Sequence, residues 1–418
     1  MSSSTSSLST LKYALGPGLL MAAAAVGVSH LVQSTRAGAD FGFTLVWAVV
    51  LANIFKYPFL EFGPRYALAT NETMLDGIQR IGKWAKWTFI IFTVASMFTI
   101  QAAVVVVTAS LAEKLFGIAL APWVWSGIIM SVCGVILVAG QYSALDKAIK
   151  IIMVVLTIST FGAILFALFS GIEAPAIQAP EIWNVAGITF LIALMGWMPI
   201  PIDGAVWHSI WTHERIKQTG HTPTMKEGLI DFNIGYIGAG VLALAFLSLG
   251  ALVLFGKGVD LAASGGAFAN QLVSIYTDTL GGWSYWVIIV CAFSTMFSTS
   301  LTVTDAYPRV IRKIVALEVK TFEESKKNYG ILLVFISSGS LAMLYFLGSQ
   351  FGFMVDLATS LSFLMAPILA LINYKLVTAA HVPDEHQPPQ WLKILSWLGM
   401  AFLTGFALLF LFWKIAYS

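Results

Sequence analysis

The sequence predicts an all-α integral membrane protein of about eleven transmembrane helices, and three observations carry that prediction. The 418 residues are 58% hydrophobic and only 11% charged, against roughly 25% charged residues in a soluble domain. The apolar residues fall in runs of about 20, the length that crosses a bilayer core as a helix. Lysine and arginine collect in alternate loops between those runs, as a fixed membrane orientation requires.

The spans lie near 16–35, 43–69, 87–112, 120–139, 148–170, 186–211, 229–255, 282–307, 329–348, 352–374 and 393–416. The opening MSSSTSSLSTLKYALGPGLLMAAAAVG has the lysine, apolar run and small residues of a signal peptide. Ten spans follow it, so it reads as the first transmembrane helix. Cys133 and Cys291 each sit inside an apolar run and read as core residues, not as a disulfide or metal pair.

With the N-terminus in the cytoplasm, the inner side collects Lys12, Arg80, Lys83, Lys86, Lys147, Lys150, Arg215, Lys217, Lys226, the cluster from Arg309 to Lys327, Lys375 and Lys393. The outer side keeps Arg36, Lys114, Lys257 and Lys414. This asymmetry predicts a multi-pass protein of the cell (plasma or inner) membrane with its C-terminus outside. The basic loop PRVIRKIVALEVKTFEESKKN reads either as a topology-setting loop or as a lipid-binding or regulatory arm. The longest loops, 256–281 and 308–328, leave no room for a soluble domain, and the chain reads as one transporter domain over 1–418. No GxxxxGK[ST], HExxH or paired CxxC occurs, nor any triad or cofactor motif, so neither an enzyme nor a resident cofactor is expected. The net charge of +2 gives no reason to expect a nucleic-acid partner.

Two spans are interrupted. The first carries AAAAVGVSHLVQST, with Gly27 and Ser29 at its middle; the sixth carries MGWMPIPIDGAVWHS, with Pro199, Pro201, Asp203 and Gly204. Glycine costs about 1 kcal/mol in a helix interior and proline about 3, and backbone groups freed in hydrocarbon must find partners. Breaks five helices apart predict an inverted five-plus-five repeat, here 1–170 and 183–376, with an eleventh helix at 391–418 and the substrate where the breaks meet. Ordinary kinks are the plainer reading.

The run GPGLLMAAAAVGVSHLVQSTRAGADFGFTLVWAVVLAN resembles the opening of the NRAMP family of proton-coupled divalent metal transporters. Gly16 and Pro17 match its GP start; Gly38, Ala39, Phe41, Gly42, Phe43 and Trp47 match its G-A-x-[YF]-G-[YF] turn and second helix. KLFGIAL, VWHS, Asp231 and Pro367 extend the likeness along most of the chain. The resemblance implies a LeuT-like fold with helices 1 and 6 discontinuous, and transport of a divalent metal. Yet the places of the family's DPGN motif hold Gly27, Val28, Ser29 and His30. The MPH motif becomes MPIPIDG: one alignment keeps Met198 and Pro199, and another, anchored on His208 and Ser209, puts Asp203 where the family has its histidine. Ile100 and Val104 fill the matching stretch of the third helix, where the family has acids, and the asparagine of the seventh falls near Ala243.

The candidate substrate residues are therefore Gly27, Ser29, His30, Met198, Pro199, Asp203 and Lys56. His30, Met198 and Asp203 could make a mixed nitrogen, sulfur and oxygen metal site, although a lone intramembrane histidine reads equally as a hydrogen-bonded structural residue. Lys56, mid-span in ANIFKYPFLEFGPRYA, is expected to neutralise Asp203 or Glu61, to stand in for a coupling ion, to attract an anionic substrate, or to snorkel. Ser298, Thr299, Asp231 and His208 are the coupling-ion or proton candidates. The hydroxyls Ser294, Thr295, Ser298, Thr299 and Thr302 of the eighth span suit tight helix packing as well. Asp305 is expected to face water. The predicted function is ion-coupled transport of the NRAMP type in the lipid bilayer, with a metal cation as substrate, altered choice, and a proton or sodium as coupling ion. A permease for a small organic or anionic solute is the alternative, and a monomer is expected.

Overall fold

A computed structural model describes residues 15–140, 142–169, 180–256, 265–347 and 351–417. Lys12 and Lys257, used above for orientation, lie outside them. The first span comprises α1 (Pro17–Ala25), a π-helical turn (Val28–Ser34) and α2 (Thr35–Phe41). The second is α3 (Val46–Thr70), followed by the short α4 (Met74–Ile81). Then come α5 (Lys83–Phe116), α6 (Pro122–Ala139) and α7 (Tyr142–Phe169). The sixth span divides into α8 (Val185–Trp197) and α9 (Gly204–Thr219). The chain continues through α10 (Met225–Val253), α11 (Gly265–Leu280), α12 (Tyr285–Glu318), α13 (Lys326–Leu347), α14 (Phe351–Val377) and α15 (Gln390–Tyr417).

Among the described residues, nine helices are long and apolar enough to cross a membrane. The fifth and sixth spans complete the series. Large apolar side chains such as Ile151, Phe169, Phe346 and Ile415 point outward, at 66%, 88%, 77% and 80% exposure. That surface suits lipid rather than water.

Three helical stretches were not anticipated, one of them α11, which occupies most of the loop expected at 256–281. The eight-residue α4 is too short to show an apolar run; it is fixed by a capping box in which Thr73 and Asp76 satisfy one another's backbone. The loop expected at 308–328 is mostly helix, because Val310, Ile311, Ile314 and Leu317 continue the apolar stripe of α12 between its basic residues. Its basic residues are consequently placed to pair: Lys313 with Asp76 at 2.8 Å and Arg309 with Glu214 at 3.1 Å.

Packing is reciprocal in the way two inverted repeats require. The halves of the first span lie on α10, and α9 of the sixth span lies on α3, so each broken span leans on the second helix of the other half. Close approach needs glycine: a Cβ on Gly18 would run into the Asp231 carbonyl, and one on Gly235 into the Gly18 carbonyl. The backbones therefore touch where the first span begins.

Candidate functional site

The two breaks face one another across a cavity of about 30 Å³. Ser29, Ala25 and Val28 line it from the first span, Trp197, Pro199 and Trp207 from the sixth, Ile100 and Val104 from α5, and Thr299 from α12. Larger clefts of about 510 and 430 Å³ lie elsewhere, at the ends of α9 and α12. In the first of these Arg80 pairs with Glu72 and Lys313 with Asp76, and a further, mostly apolar cleft of about 940 Å³ lies between α6 and α13.

At the first break the backbone is satisfied by hydroxyls. Gly27 N–H turns back to the Ala25 carbonyl at 2.8 Å, which leaves the Ala23 carbonyl without its helical donor. Thr299 donates to that carbonyl at 2.7 Å from across the cavity. Ser29 Oγ lies 2.6 Å from the Ala25 carbonyl and 2.7 Å from His30 Nδ1, so its one proton serves the two between them. Gly27 has to be glycine here, since a Cβ would stand 2.7 Å from Thr299 Cγ2 and 2.8 Å from its Oγ1. Ser298, by contrast, donates to Thr295 in its own helix at 2.8 Å and does not line the cavity.

At the second break proline dictates the geometry. The helical donor for the Met195 carbonyl would be the nitrogen of residue 199, and Pro199 has no N–H. Lys56 supplies the donor instead: its Nζ lies 2.6 Å from the Met195 carbonyl and 2.7 Å from that of Gly196. The ammonium is fully buried, which overturns the snorkelling expected from the sequence, and it interacts with Asp203 without a direct ion pair among the described residues. Glu61 is held by Arg65 instead.

Asp203 begins α9 but caps nothing. The first amides of α9 bond within the chain, Gly204 to Pro201 at 3.0 Å and Ala205 to Ile202 at 3.1 Å. Both carboxylate oxygens are thus left buried without a hydrogen-bond partner. Lys56 and Tyr307 are the ionisable groups that interact electrostatically with it.

His30 is turned away from the cavity. Its Nε2 lies 2.9 Å from the Ala239 carbonyl of α10 and its Nδ1 2.7 Å from Ser29 Oγ, so offering either nitrogen to a metal would break a hydrogen bond. Met198 is buried outside the cavity lining. Among the described residues no group of three His, Cys, Asp or Glu stands close enough to hold a metal. Asp231 accepts from the N–H groups of Gly16 at 3.0 Å and Gly18 at 2.6 Å, capping α1 across the fold. His208 stands 4.0 Å from Asp231.

Asp305 corrects the expectation that it faces water. It is 3% exposed and receives Arg309 at 2.7 Å, Tyr329 at 2.8 Å and Trp211 at 3.2 Å, because α12 runs on for more than three turns beyond it. Sequence reasoning also passed over Gln33, fully buried in the π-helical turn with neither amide atom partnered. The available signal was an amide inside an apolar span. The tryptophans of the lining, Trp197 and Trp207, gave no signal beyond being aromatic.

Comparison with known proteins agrees with the fold. A family model described as natural resistance-associated macrophage protein-like matches residues 18–413. The uncharacterized protein PM0681 of Pasteurella multocida (strain Pm70) is 37% identical, over 95% of this chain and 92% of its own length. A divalent metal cation transporter, MntH, of Listeria welshimeri is 22% identical over 96% and 90%. Among solved structures, a mutant of the Eremococcus coleocola manganese transporter superposes with a TM-score of 0.72 at 14% identity, covering 98% of this chain and 88% of that one. MhsT in complex with L-phenylalanine gives 0.68 at 15% identity, covering 94% and 97%. These last two likenesses show the LeuT-like fold.

Proposed function

The chain belongs to the natural resistance-associated macrophage protein-like (Nramp) family, and we propose that it is a secondary-active transporter that carries one small, hard metal cation past its two helix breaks. The observation that carries this reading is the size and chemistry of the cavity between them. Its volume of about 30 Å³ exceeds the roughly 10–15 Å³ that one water needs. Pockets for organic ligands run to about 300–1,000 Å³, so a single ion fits and an amino-acid-sized solute does not. Lys56, the residue that favoured an anion, spends its ammonium on the carbonyls of α8 and does not line the cavity.

The lining is mostly apolar; its side-chain oxygens are the hydroxyls of Ser29 and Thr299, with no carboxylate, thioether or imidazole. Oxygen donors select hard cations such as magnesium, calcium and manganese; sulfur selects softer ones. Metal choice is accordingly shifted from that implied by the family's motifs. Names among the relatives, a divalent metal cation transporter and a manganese transporter, support metal-ion cargo. Transport proceeds by alternating access driven by an ion gradient, with the half-helices of the two broken spans rocking against the other helices.

The test is uptake of magnesium, calcium, manganese and cadmium into proteoliposomes by the wild type, Thr299→Val and Ser29→Ala. Saturable uptake of a hard cation is expected, with cadmium not preferred and both variants reduced about ten-fold, the effect of one lost interaction of about 1.4 kcal/mol. Saturable uptake of an anionic or zwitterionic solute, with no cation moved, would replace this reading with the organic-solute one.

A further inference from the structure

Resting on the transporter reading above, we propose that the ammonium of Lys56 is a tethered replacement for a mobile coupling cation, so that the protein works without sodium or potassium. In broken-helix transporters the carbonyl end of a half-helix is where a coupling cation is held, because the end carries about half a negative charge and its carbonyls lack donors. Here that end is α8, and the position is filled by the chain itself. Nζ of Lys56 stands 2.6 and 2.7 Å from the Met195 and Gly196 carbonyls, in the range of charge-assisted hydrogen bonds.

Three features make this an ion's place and not merely a lysine's resting point. The Met195 carbonyl is freed by Pro199, which provides no N–H, and the Gly196 carbonyl by the end of α8 at Trp197, so some donor or cation must serve them. The ammonium is fully buried, where an unneutralised charge costs several kcal/mol. The nearby countercharge, Asp203, is itself 2% exposed, and no other side chain hydrogen-bonds to its oxygens, which have only the amides of Asp203 and Gly204 beside them. Two carbonyls hold the ammonium directly, and the buried Asp203 carboxylate, too far for an ion pair, supplies countercharge from behind them. Lys56 reaches this place from the middle of α3, where an apolar residue would leave it vacant.

The consequence is specific. Removing the ammonium opens a site that a free cation can enter, whereas the wild type has none to fill. The experiment is thermal unfolding of the purified protein in sodium, potassium and choline chloride at constant ionic strength, for the wild type, Lys56→Met and Lys56→Arg. The wild type and Lys56→Arg are expected to unfold at the same temperature in all three salts. Lys56→Met is expected to unfold lower in choline and to recover saturably with sodium or potassium.

Saturable stabilisation of the wild type by sodium would overturn the proposal, as would a Lys56→Met protein indifferent to every cation. If Lys56→Met does not fold, wild-type vesicles decide. Uptake unchanged on complete replacement of sodium and potassium by choline upholds the proposal, and a ten-fold fall overturns it. Unfolding in different salts needs no knowledge of the cargo, so a failure of metal uptake is told apart from a failure here.

Discussion

The two helix breaks meet one requirement, that carbonyls freed inside a membrane find donors, with opposite chemistry. At the first break the donors are neutral: Thr299 for Ala23, and Ser29 for Ala25. At the second the donor is the Lys56 ammonium, and a carboxylate, Asp203, waits beside it without a partner. The neutral break puts hydroxyls on the cavity wall, where they can reach a cargo ion. The charged break keeps its ions behind the wall, where they set the field without touching the cargo. On the proposed reading, recognition and coupling fall to different halves of the site.

The largest expected effect strikes the charged break. Lys56→Met in sodium- and potassium-free solution strands two carbonyls and the Asp203 charge, and should cost about 3–5 kcal/mol, the size of removing one member of a buried charged set. Chemical or thermal unfolding measures it, and a loss below that of any neutral-break variant would break the comparison. Next comes Gly27→Ala, whose Cβ would press on Thr299 at 2.7 Å; overpacking of this kind costs about 1–3 kcal/mol. Adding Thr299→Ser, which deletes the crowded methyl, should restore part of that loss, and strict additivity of the two changes would show that they do not touch. Ser29→Ala removes the neutral hydroxyl that serves the Ala25 carbonyl and His30 Nδ1 and should cost about 1 kcal/mol. A cost near that of Lys56→Met would mean that charge is not what separates the breaks.

Most of the fold could be read from the sequence because bilayer thickness fixes the length of every span, and proline and glycine mark where a span cannot continue. Both breaks announced themselves in that way. The partners did not. Lys56 stood out as a buried charge, but its partners are backbone carbonyls, whose freedom depends on where α8 stops in space. Asp231 caps a helix 213 residues away from Gly18, through a contact that only the closed fold makes. His30 looked like a ligand because imidazole commonly is one, and its neighbour Ser29 with the Ala239 carbonyl had already claimed both nitrogens. Residue type can be read directly, whereas an unspent lone pair is visible only after packing.

The smallest effect belongs to a charge pair outside the spans, and it tests whether burial or charge sets the ranking. Partial burial of Asp76 in α4 works to raise its carboxyl, but hydrogen bonds from Lys313 at 2.8 Å and from the Thr73 hydroxyl and N–H hold it below the ordinary 3.8. A carboxyl lowered in the folded state adds stability above its unfolded value, and that stability is lost as the pH falls through the folded one. Asp76→Asn should therefore cost no more than about 1 kcal/mol near neutral pH, as exposed pairs do. Wild type and variant should converge below the ordinary carboxylate range, as unfolding measured across pH will show. Asp76 keeps 21% of its side chain in water and Lys56 keeps none. If Asp76→Asn cost as much as Lys56→Met, net charge alone would rank the two sites. A small cost would show that the ammonium matters because no water can replace it.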